Sequence, residues 1–555
     1  MIYILSNTLN KINIFISLLV FNIQGVASIP LTLEEKIGQL FIIPVSPLLG
    51  EDHIEDVKKL VREGRAGGIL LQQGTAQGQR AIIEKLQAIA PLPLFCVQDG
   101  EYGVAMRLSD VLAFPRNLTL GAIQDLSFLY RLGQEIGRQC LLVGAHINLA
   151  PVVDVNSNPL NPIIHVRSFG EDPFQVALRG EMVMRGMQSM GIFACMKHFP
   201  GHGDTSIDSH IDLPRVEHDS IELQKIELFP FHWLVQSGIS SVMSAHLYVN
   251  ALAEEDLLPA TFSHQIITTL LRKQFNFNGL IISDALNMKA LAKSYGPGEI
   301  AMNTFLAGHD LLLYGDHIAP NIDQILRYDL PEAFQMLKGA VENRVVPEEL
   351  IDDKVSKIIL AKKQLGLFDR SYSVPEDNIA DAINSPEAFA LKKRLFEEAI
   401  TVIRNEKILP LAQGKVAIVE AGNCSFFNAI LEEQLDVEVH SLSDPQLFTK
   451  IQNCSCVIVA LSKLTNTLPH CELESNEEAI LYGLAKSETP VVAVIFGTPY
   501  SVARLPLFSA IVVAYENEKE AQEAAAEVIL GRRSPKGRLP VSVEPFFAVG
   551  TGLFW

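Results

Sequence analysis

Residues 197–210 carry the densest set of reactive side chains in the chain. This stretch, KHFPGHGDTSIDSH, holds three histidines, one lysine and two aspartates within fourteen residues. Pro200, Gly201 and Gly203 indicate an irregular loop, because they disfavour the interior of helices and strands. Such side chains can hold protons, bind hydroxyl groups or coordinate a metal, and loops of this composition are usually sites. We therefore expect a functional site here.

Two other interpretations of the same loop are open at this point. The imidazoles of His198, His202 and His210 could bind a metal ion, but no HExxH or CxxC pattern accompanies them. The loop could also be polar and purely structural. We favour the functional site, and we expect neither a metal nor another cofactor.

Composition limits the class of protein. A chain of 555 residues is too long for one hydrophobic core, so two or three domains are expected. The formal net charge of −19 and the lack of a basic run argue against nucleic acid as a partner. Seven scattered cysteines, several of them inside apolar runs, do not form the pattern of a disulfide framework.

The N-terminus has two interpretations. The apolar run Ile12–Ile23 follows Lys11, and Gly25, Val26 and Ala27 are small residues suited to a cleavage site. Residues 1–28 are thus predicted to be a signal peptide or an N-terminal anchor, which would place the protein in the periplasm or outside the cell. The alternative is a mis-assigned start and a cytoplasmic protein. Membrane contact, if any, is expected only through this segment.

Short apolar strands alternate with longer amphipathic helices up to about residue 365. This alternation is typical of a (β/α)₈ barrel, which we place at residues 29–368. The predicted helices include Ile54–Glu63, Gln79–Ile89, Leu126–Leu142, Gln175–Met190, Glu222–Gln236 and His264–Gln274. The predicted strands are Gln39–Val45, Gly68–Gln72, Leu92–Gln98, Ile147–Val155, Ile192–His198, Ser240–His246, Leu280–Asp284 and His309–Tyr314.

A second α/β pattern follows a polar linker predicted at residues 369–386. Residues 387–555 are predicted to form an α/β sandwich that opens with a long helix, Glu387–Asn405. Further helices are expected at Ser475–Ala485 and Lys519–Leu530. Its predicted strands are Lys415–Val419, Cys456–Ala460, Val491–Phe496 and Ala510–Ala514. The predicted sandwich contains neither GxGxxG nor GxxxxGK[ST], so the sequence gives no support for nucleotide binding there.

Three more polar groups follow predicted barrel strands. They are Ser283-Asp284, Asp99 with Arg107, and Arg167-Ser168-Phe169. Catalytic groups of such barrels lie at the carboxyl ends of the strands, so these side chains are expected to meet residues 197–210 there. For Asp284, capping of the next helix is an open alternative, since Ser and Asp both favour that position.

Carboxylates, cations and imidazoles around one pocket suit the cleavage of a glycosidic bond. In the retaining route one carboxylate attacks the sugar carbon, while a second group protonates the leaving oxygen and later activates water. A histidine beside an aspartate can act as this second group, because the aspartate fixes its tautomer and stabilises the imidazolium. Asp208 and His210 have that spacing.

These motifs resemble glycoside hydrolase family three, and within it the exo-β-N-acetylglucosaminidases. The Lys197–Gly203 run, followed by Asp208-Ser209-His210, is similar to the hallmark of that subgroup, and Ser283-Asp284-Ala285 resembles the nucleophile motif of the family. The resemblance continues past the barrel. Leu409-Pro410-Leu411, Gly497-Thr498-Pro499-Tyr500 and the run Gly531–Pro540 look like landmarks of the family's sandwich domain.

The resemblance implies a role for each matching residue. Asp284 would be the nucleophile that forms a covalent glycosyl–enzyme intermediate. His210 would be the general acid/base, oriented by Asp208. The substrate-binding residues would be Asp99, Arg107, Arg167, Lys197 and His198. The implied substrate is a small carbohydrate with a terminal β-linked N-acetylglucosamine, such as a peptidoglycan fragment or a chito-oligosaccharide.

One segment departs from the family pattern. Relatives usually carry Asp-x-Glu-Gly-Gly-Arg-Val after the third strand, whereas this chain has Tyr102 in place of the first glycine and Val104 in place of the arginine. A tyrosine at a position that needs glycine's backbone freedom would reshape this wall. We expect the change to affect specificity more than the reaction class.

Other functions remain open at the level of the sequence. A β-glucosidase-like hydrolase of the same fold would use a carboxylate elsewhere as its acid/base, so that His210 would matter little. A phosphorylase would transfer the sugar to phosphate, and a non-catalytic carbohydrate-binding protein would retain only the fold. Gly201 and Gly203 also predict a hinged loop that places His210 far from Asp284 without substrate.

Overall fold

A computed structural model describes residues 30–207, 212–253, 258–315, 322–369, 378–463 and 473–555. The predicted signal segment, residues 1–28, lies outside these ranges. Within them, every helix is too short or too polar to cross a lipid bilayer.

Eight parallel strands form the first sheet, in the order β10-β1-β2-β3-β4-β5-β7-β9. A parallel bridge between Ile282 and Leu311 joins the two ends and closes the barrel. The predicted (β/α)₈ barrel is therefore confirmed. Its strands are β1 Phe41–Val45, β2 Gly68–Leu71, β3 Phe95–Gln98, β4 Ile147–Asn148, β5 Phe193–Phe199, β7 Ser241–Ser244, β9 Leu280–Ser283 and β10 Leu312–Leu313; β6 Arg215–Val216 and β8 Tyr248–Val249 pair separately.

Several strands are shorter than predicted, and β4 is the clearest case. The prediction extends it from Ile147 to Val155, but β4 ends at Asn148. Pro151 has no backbone N–H to donate to a neighbouring strand, which interrupts the ladder. Pairing resumes only as a bridge between Val152 and Lys197. The chain beyond this bridge is a long loop over the barrel mouth.

Helices surround the barrel and bury their apolar faces against it. The predicted helix Glu222–Gln236 is wrong in one respect: it is two helices, separated at Ile226 and Glu227. Pro230 fits in the first turn of the second helix, where its missing N–H removes no helical hydrogen bond. The helices of this domain are Leu33–Gly38, Gly50–Arg62, Ala76–Ile89, Asn117–Gly121, Ser127–Val143, Pro173–Ser189, Ser220–Lys225, Leu228–Gln236, Gln265–Gln274, Lys289–Ala292, Pro297–Ala307, Ile322–Gln324, Ile325–Asp329, Leu330–Glu342 and Glu348–Gln364.

The second sheet has six strands in the order β11-β16-β15-β14-β12-β13, all parallel except β11. Alternate residues of its central strands enter two separate apolar clusters, so both faces are covered and the predicted sandwich is confirmed. Its strands are β11 Thr401–Asn405, β12 Lys415–Ala421, β13 Asp436–Ser441, β14 Cys456–Leu461, β15 Val491–Ile495 and β16 Ala510–Val513. Its helices are Pro386–Ala399, Ser425–Glu432, Leu447–Lys450, Ser475–Ala485 and Lys519–Ile529.

The long helix predicted at Glu387–Asn405 is wrong at its C-terminal end. The helix stops at Ala399, and Thr401–Asn405 forms β11, which pairs antiparallel with β16. The run Thr401-Val402-Ile403 is β-branched, which favours a strand over a helix. The run becomes a strand because its pairing with β16 adds a sixth strand to the sheet.

The predicted linker lies partly outside the described residues, because 370–377 are not among them. Its described part contains the short helix Ile379–Ile383, in which both isoleucines are buried. Arg138 of the barrel domain donates to the carbonyl of Ala382 at 3.0 Å. This end of the segment thus packs on the barrel, and the predicted domain boundaries remain predictions.

Candidate active site

The carboxyl ends of the barrel strands bring the predicted polar residues together. Asp99 follows β3, Lys197 and His198 lie at the end of β5, and Asp284 follows β9. Together with Arg107 and Arg167, they line one cavity of about 250 Å³. Other parts of its wall are apolar, contributed by Leu70, Met106, Leu149, Ile163, Met243 and Leu313.

Lys197 is the centre of a buried ion network on one wall. Its Nζ lies 2.8 Å from Asp99 Oδ1 and 2.8 Å from Glu101 Oε1. Arg107 Nη2 contacts the other Asp99 oxygen at 2.5 Å. The side chains of all four are nine-tenths or more buried. Since each charge has an opposite partner, the network is stable without solvent and presents rigid donors and acceptors to the cavity.

Arg167 joins this network from the loop after β4. Its guanidinium binds Glu101 through two nitrogens, with Nη2–Oε1 at 2.6 Å and Nε–Oε2 at 3.0 Å. The same Nη2 lies 3.2 Å from Nε2 of His198. About a quarter of the Arg167 side chain remains exposed, so it can still reach a ligand.

Asp154 holds the start of the histidine loop. Its carboxylate accepts the backbone N–H of His198 at 3.1 Å and that of His202 at 2.8 Å, and it lies 2.7 Å from Nδ1 of His198. This arrangement sets the His198 tautomer, because Nδ1 donates to Asp154 while Nε2 faces the Arg167 donor. Asp154 is fully buried and orders three groups at once.

Burial and neighbouring charges shift the pKa values of this wall in definite directions. Burial alone would raise the pKa of Glu101, but Arg167 and Lys197 outweigh it and lower the value to about 2. Burial alone would lower the pKa of Lys197, but Asp99 and Glu101 raise it. Burial lowers the pKa of His202 to about 4. At neutral pH, Glu101 and Lys197 are therefore charged and His202 is neutral.

Asp284 lies in a tight turn after β9, which is four strands from β3 in either direction around the barrel, so it lines the cavity across from Asp99. Its backbone N–H donates to the carbonyl of Ser244 at 3.1 Å, and its Oδ1 accepts from the N–H of Ala285 at 2.7 Å. The next helix begins at Lys289 with Met288 as its cap residue. The alternative that Asp284 caps a helix is therefore wrong.

The buried side chain of His246 supports the turn that carries Asp284. Its Nε2 lies 2.9 Å from the carbonyl oxygen of Ala285, which can only accept, so Nε2 carries the proton. Its Nδ1 faces Oγ1 of Thr261 at 2.7 Å. The turn that carries Asp284 is thus fixed by a buried side chain as well as by backbone hydrogen bonds.

The two loop glycines are required by close packing. A Cβ on Gly203 would lie 1.5 Å from the carbonyl oxygen of Val155, and a Cβ on Gly201, whose φ is +131°, would lie 2.5 Å from Cβ of Glu227. The described part of the loop is therefore pressed against its surroundings. The predicted hinge motion of this loop remains a prediction.

Asp208 and His210 belong to residues 208–211, which lie outside the described residues, so their predicted roles remain predictions.

The metal alternative also needs His210. Of its other ligands, His198 faces Asp154 and Arg167, while Nδ1 of His202 faces Thr205 Oγ1 at 2.7 Å. Within the described ranges, His, Cys, Asp and Glu side chains form no cluster with metal-binding geometry.

The backbone explains why Tyr102 is tolerated. Gly103, and not Tyr102, adopts positive φ, at +92°. The Tyr102 ring lies outside the ion network. The guanidinium of Arg116 stacks on this ring, with Cζ 3.8 Å from the ring centroid. The expectation that Tyr102 occupies a position in need of glycine is therefore wrong. Val104 is fully buried.

Two residues of the wall were not among the predicted site residues. Asp154 lies inside the apolar stretch predicted as the strand Ile147–Val155, and the signal that could have identified it was a single carboxylate in an otherwise apolar run, which is costly to bury without partners. Glu101 lies next to Tyr102 in the segment that departs from the family pattern, and the resemblance gave it no role. The structure shows that Glu101 joins Lys197 to Arg167.

The arrangement can bind a polyhydroxylated ligand on one side and place a carboxylate against it on the other. Fixed ammonium, guanidinium and carboxylate groups recognise vicinal hydroxyls through charge-assisted hydrogen bonds. Asp284 faces the same cavity. A retaining glycosidase uses such a carboxylate as its nucleophile, and its first step requires a general acid in addition.

Comparisons with known proteins agree with this geometry. The family model described as glycosyl hydrolase family 3 N terminal domain matches residues 32–361, and the C-terminal domain model of the same family matches residues 400–546. Beta-hexosaminidase A from Pseudoalteromonas piscicida is 27% identical, over 93% of this chain and 98% of the relative. A beta-N-acetylglucosaminidase/beta-glucosidase from Cellulomonas fimi is 28% identical, over 70% of this chain and 69% of the relative.

Solved structures give the same result over both domains. The glycoside hydrolase family 3 beta-N-acetylglucosaminidase from Paenibacillus superposes with a TM-score of 0.78 at 29% identity, covering 93% of this chain and 99% of that structure. The beta-glucoside phosphorylase BglX has a TM-score of 0.80 at 22% identity, covering 93% and 95%, and shows the fold alone. The resemblance found in the sequence is confirmed: the chain belongs to glycosyl hydrolase family 3.

Proposed function

We propose that the protein is a retaining exo-β-N-acetylglucosaminidase that removes a terminal β-linked N-acetylglucosamine. The observation that carries this proposal is one cavity with the Lys197–Asp99–Glu101–Arg167 network on one wall and Asp284 on the other. The Asp208-Ser209-His210 motif supports the sugar assignment, and so do the names of the Pseudoalteromonas and Paenibacillus relatives.

In this proposal, Asp284 attacks the anomeric carbon and forms a glycosyl–aspartate ester. The C–O bond to the leaving group breaks as His210 donates its proton to that oxygen. The same histidine then takes a proton from water, which attacks the anomeric carbon and releases Asp284. Asp208 would orient His210 and stabilise the imidazolium. Lys197, His198, Arg167, Asp99 and Arg107 would hold the hydroxyls of the terminal sugar.

An aryl glycoside separates the two chemical steps. Nitrophenol leaves with little help from an acid, so His210→Ala should still form the ester and release a burst of about one nitrophenol per enzyme, followed by slow turnover. Asp284→Ala should show neither burst nor turnover. Full steady-state activity in His210→Ala would contradict the assignment of the acid/base.

Azide rescue assigns each role by product stereochemistry. Azide occupies the space of the missing side chain, so Asp284→Ala should give the α-glycosyl azide by direct displacement. With His210→Ala, azide should intercept the ester and give the β-glycosyl azide. The reverse pattern would exchange the two assignments.

A second activity is favoured by the Cellulomonas relative, whose name joins beta-N-acetylglucosaminidase with beta-glucosidase. The β-glucoside should therefore be assayed beside the β-N-acetylglucosaminide, with and without phosphate. Preference for the acetylated sugar is expected. N-acetylglucosamine 1-phosphate in the phosphate reaction would identify a phosphorylase.

We further propose peptidoglycan fragments with an N-acetylglucosaminyl-anhydromuramyl unit as the natural substrate. Support comes from the family resemblance of the residue 197–210 motif. The test is release of N-acetylglucosamine from purified muropeptides compared with chitobiose. Faster cleavage of chitobiose would point to chito-oligosaccharides.

A further inference from the structure

The turn that carries Arg167 lies between the two domains. It is a single 3₁₀ turn, His165–Arg167, whose first residue adopts positive φ at +31°. A non-glycine residue there costs free energy and persists only where its surroundings hold it. What holds this turn therefore determines where the guanidinium of Arg167 points.

The barrel supplies part of this support. Asn117 Nδ2 donates to the carbonyl of Arg167 at 2.6 Å. Ser168 Oγ donates to the carbonyl of Asp154 at 2.7 Å, which ties the end of the turn to the residue that orders His198. The first hydrogen bond holds the carbonyl of Arg167 and the second holds the residue after it; the first two residues of the turn, His165 and Val166, have other contacts.

The sandwich domain supports those two residues through Tyr500. The Tyr500 ring lies 5.6 Å from the His165 ring, centroid to centroid. Val166 packs against a small apolar cluster of Tyr500, Val541 and Leu118, of which the first two belong to the sandwich domain. This cluster is separate from the two main cores.

The hydroxyl of Tyr500 reaches the same loop further upstream. It accepts from Nδ2 of Asn156 at 2.8 Å, two residues after Asp154. Downstream of the turn, Glu171 accepts from N–H and Oγ of Ser542, and a Cβ on Gly170 would lie 2.4 Å from the carbonyl oxygen of Pro540. The sandwich domain thus contacts the loop before, at and after Arg167.

From these contacts, we infer that Tyr500 is a positioning residue for Arg167, and that the sandwich domain is thereby part of the sugar-binding machinery. The inference deepens the proposed function and rests on it in one respect, namely that Arg167 binds the sugar. Tyr500 itself does not line the cavity of the active site.

The test compares Tyr500→Ala with Tyr500→Phe in the full-length protein. Tyr500→Ala removes the ring, and we expect the KM for the aryl N-acetylglucosaminide and the inhibition constant of N-acetylglucosamine to rise at least tenfold, with kcat changed less than threefold. Tyr500→Phe retains the ring and should rescue most of the loss. An equal fall of kcat in both variants, with KM unchanged, would overturn the inference.

Two controls separate positioning from general damage. Phe427→Leu weakens the core of the sandwich domain away from the loop, and it should lower Tm without changing KM. In an Arg167→Lys background, Tyr500→Ala should add little, because its effect passes through Arg167. Full additivity of the two changes would contradict the inference.

Hydrogen–deuterium exchange supplies a readout that needs no turnover. Amides of residues 163–170 should exchange faster in Tyr500→Ala than in the wild type or in Phe427→Leu. Unchanged exchange there would refute the positioning role even in an active enzyme. Absence of wild-type hydrolysis together with faster exchange would refute the proposed function alone.

Discussion

Asp154 is the residue on which the histidine side of the cavity depends most. It is fully buried and accepts two backbone N–H groups as well as Nδ1 of His198. Burial opposes the charge, but His198 and the hydrogen bonds lower the pKa of this carboxyl below its ordinary value. The carboxylate form is thus the one that the site retains at neutral pH.

Asp154→Asn should lower kcat/KM by about 10- to 100-fold. The amide presents N–H groups to donors that now face a carboxylate, and an unmet buried hydrogen bond costs about 1–3 kcal/mol. The measurement is steady-state hydrolysis of the aryl N-acetylglucosaminide. Asp353→Asn, an exposed carboxylate on the helix Glu348–Gln364, is the control and should behave as the wild type. Near wild-type activity in Asp154→Asn would show that the loop orders without it.

Glu101 gives the site a defined response to acid. Its pKa, about 2 when folded, is below the ordinary value of 4.5, so ionised Glu101 stabilises the fold above pH 4.5 and that contribution is lost as the pH falls towards 2. Glu101→Gln leaves Lys197 and Arg167 without this partner. We expect its Tm to fall by several degrees at pH 7, with the gap to the wild type closing between pH 4.5 and 2. A gap that stays constant over this range would contradict the assignment.

At the scale of elements, the loop after β5 is held by backbone contact. Gly203→Ala places a methyl group 1.5 Å from the carbonyl oxygen of Val155, so the backbone of the loop must shift and with it the neighbouring His202, which lines the cavity. We expect at least a 100-fold fall in kcat/KM with a modest fall in Tm. Gly339→Ala is the matched control, because nothing lies within 4 Å of its Cβ and it sits in the helix Leu330–Glu342. That substitution should raise stability by up to about 1 kcal/mol and leave activity unchanged. Equal activity of the two variants would refute the packing argument.

The sequence was sufficient to locate the eight barrel strands, because a buried parallel strand reads as a short apolar run. Because these strands could be located, the sequence also predicted that Lys197, Asp99 and Asp284 lie together at the carboxyl-terminal end of the barrel. It failed where tertiary pairing decides the conformation. The β-branched run at Thr401 became an edge strand, and β13 was missed because Asp436 and Glu438 give an exposed strand a polar pattern.

Contacts between distant segments were beyond the reach of local pattern. Nothing near Tyr102 in the sequence indicates that Arg116 stacks on its ring, and nothing near Arg167 indicates Tyr500. The family resemblance supplied roles for single residues, but the partners that orient them come from other elements. Asp154 shows this most clearly, since its importance appears only once β4 and β5 are side by side.

For the whole molecule, the loops around the cavity link the barrel to the sandwich domain. Glu516 of the sandwich domain accepts the backbone N–H of Arg116 at 2.8 Å and Oγ1 of Thr119 at 2.5 Å. Arg116 in turn stacks on Tyr102, which follows Glu101. Together with Tyr500, this gives the second domain two separate contacts with the wall that carries the ion network.

Glu516 also makes the interface sensitive to pH. Burial raises the pKa of its carboxyl above the ordinary value of 4.5, with the two hydrogen bonds opposing the rise. A raised folded pKa means that the fold is more stable when Glu516 is protonated. Stability is then lost as the pH rises from 4.5 through the folded value.

Glu516→Gln should therefore raise Tm at pH 8, by an amount that shrinks to nothing near pH 4.5. The amide oxygen can still accept from Arg116 and Thr119, and the buried charge is gone. Scanning calorimetry from pH 4 to pH 8 measures the gap, with the exposed Glu488→Gln as a control that should show none. A gap of the opposite sign would mean that the Glu516 charge stabilises the interface, and the second domain would then hold the sugar-binding wall by electrostatic attraction more than by packing.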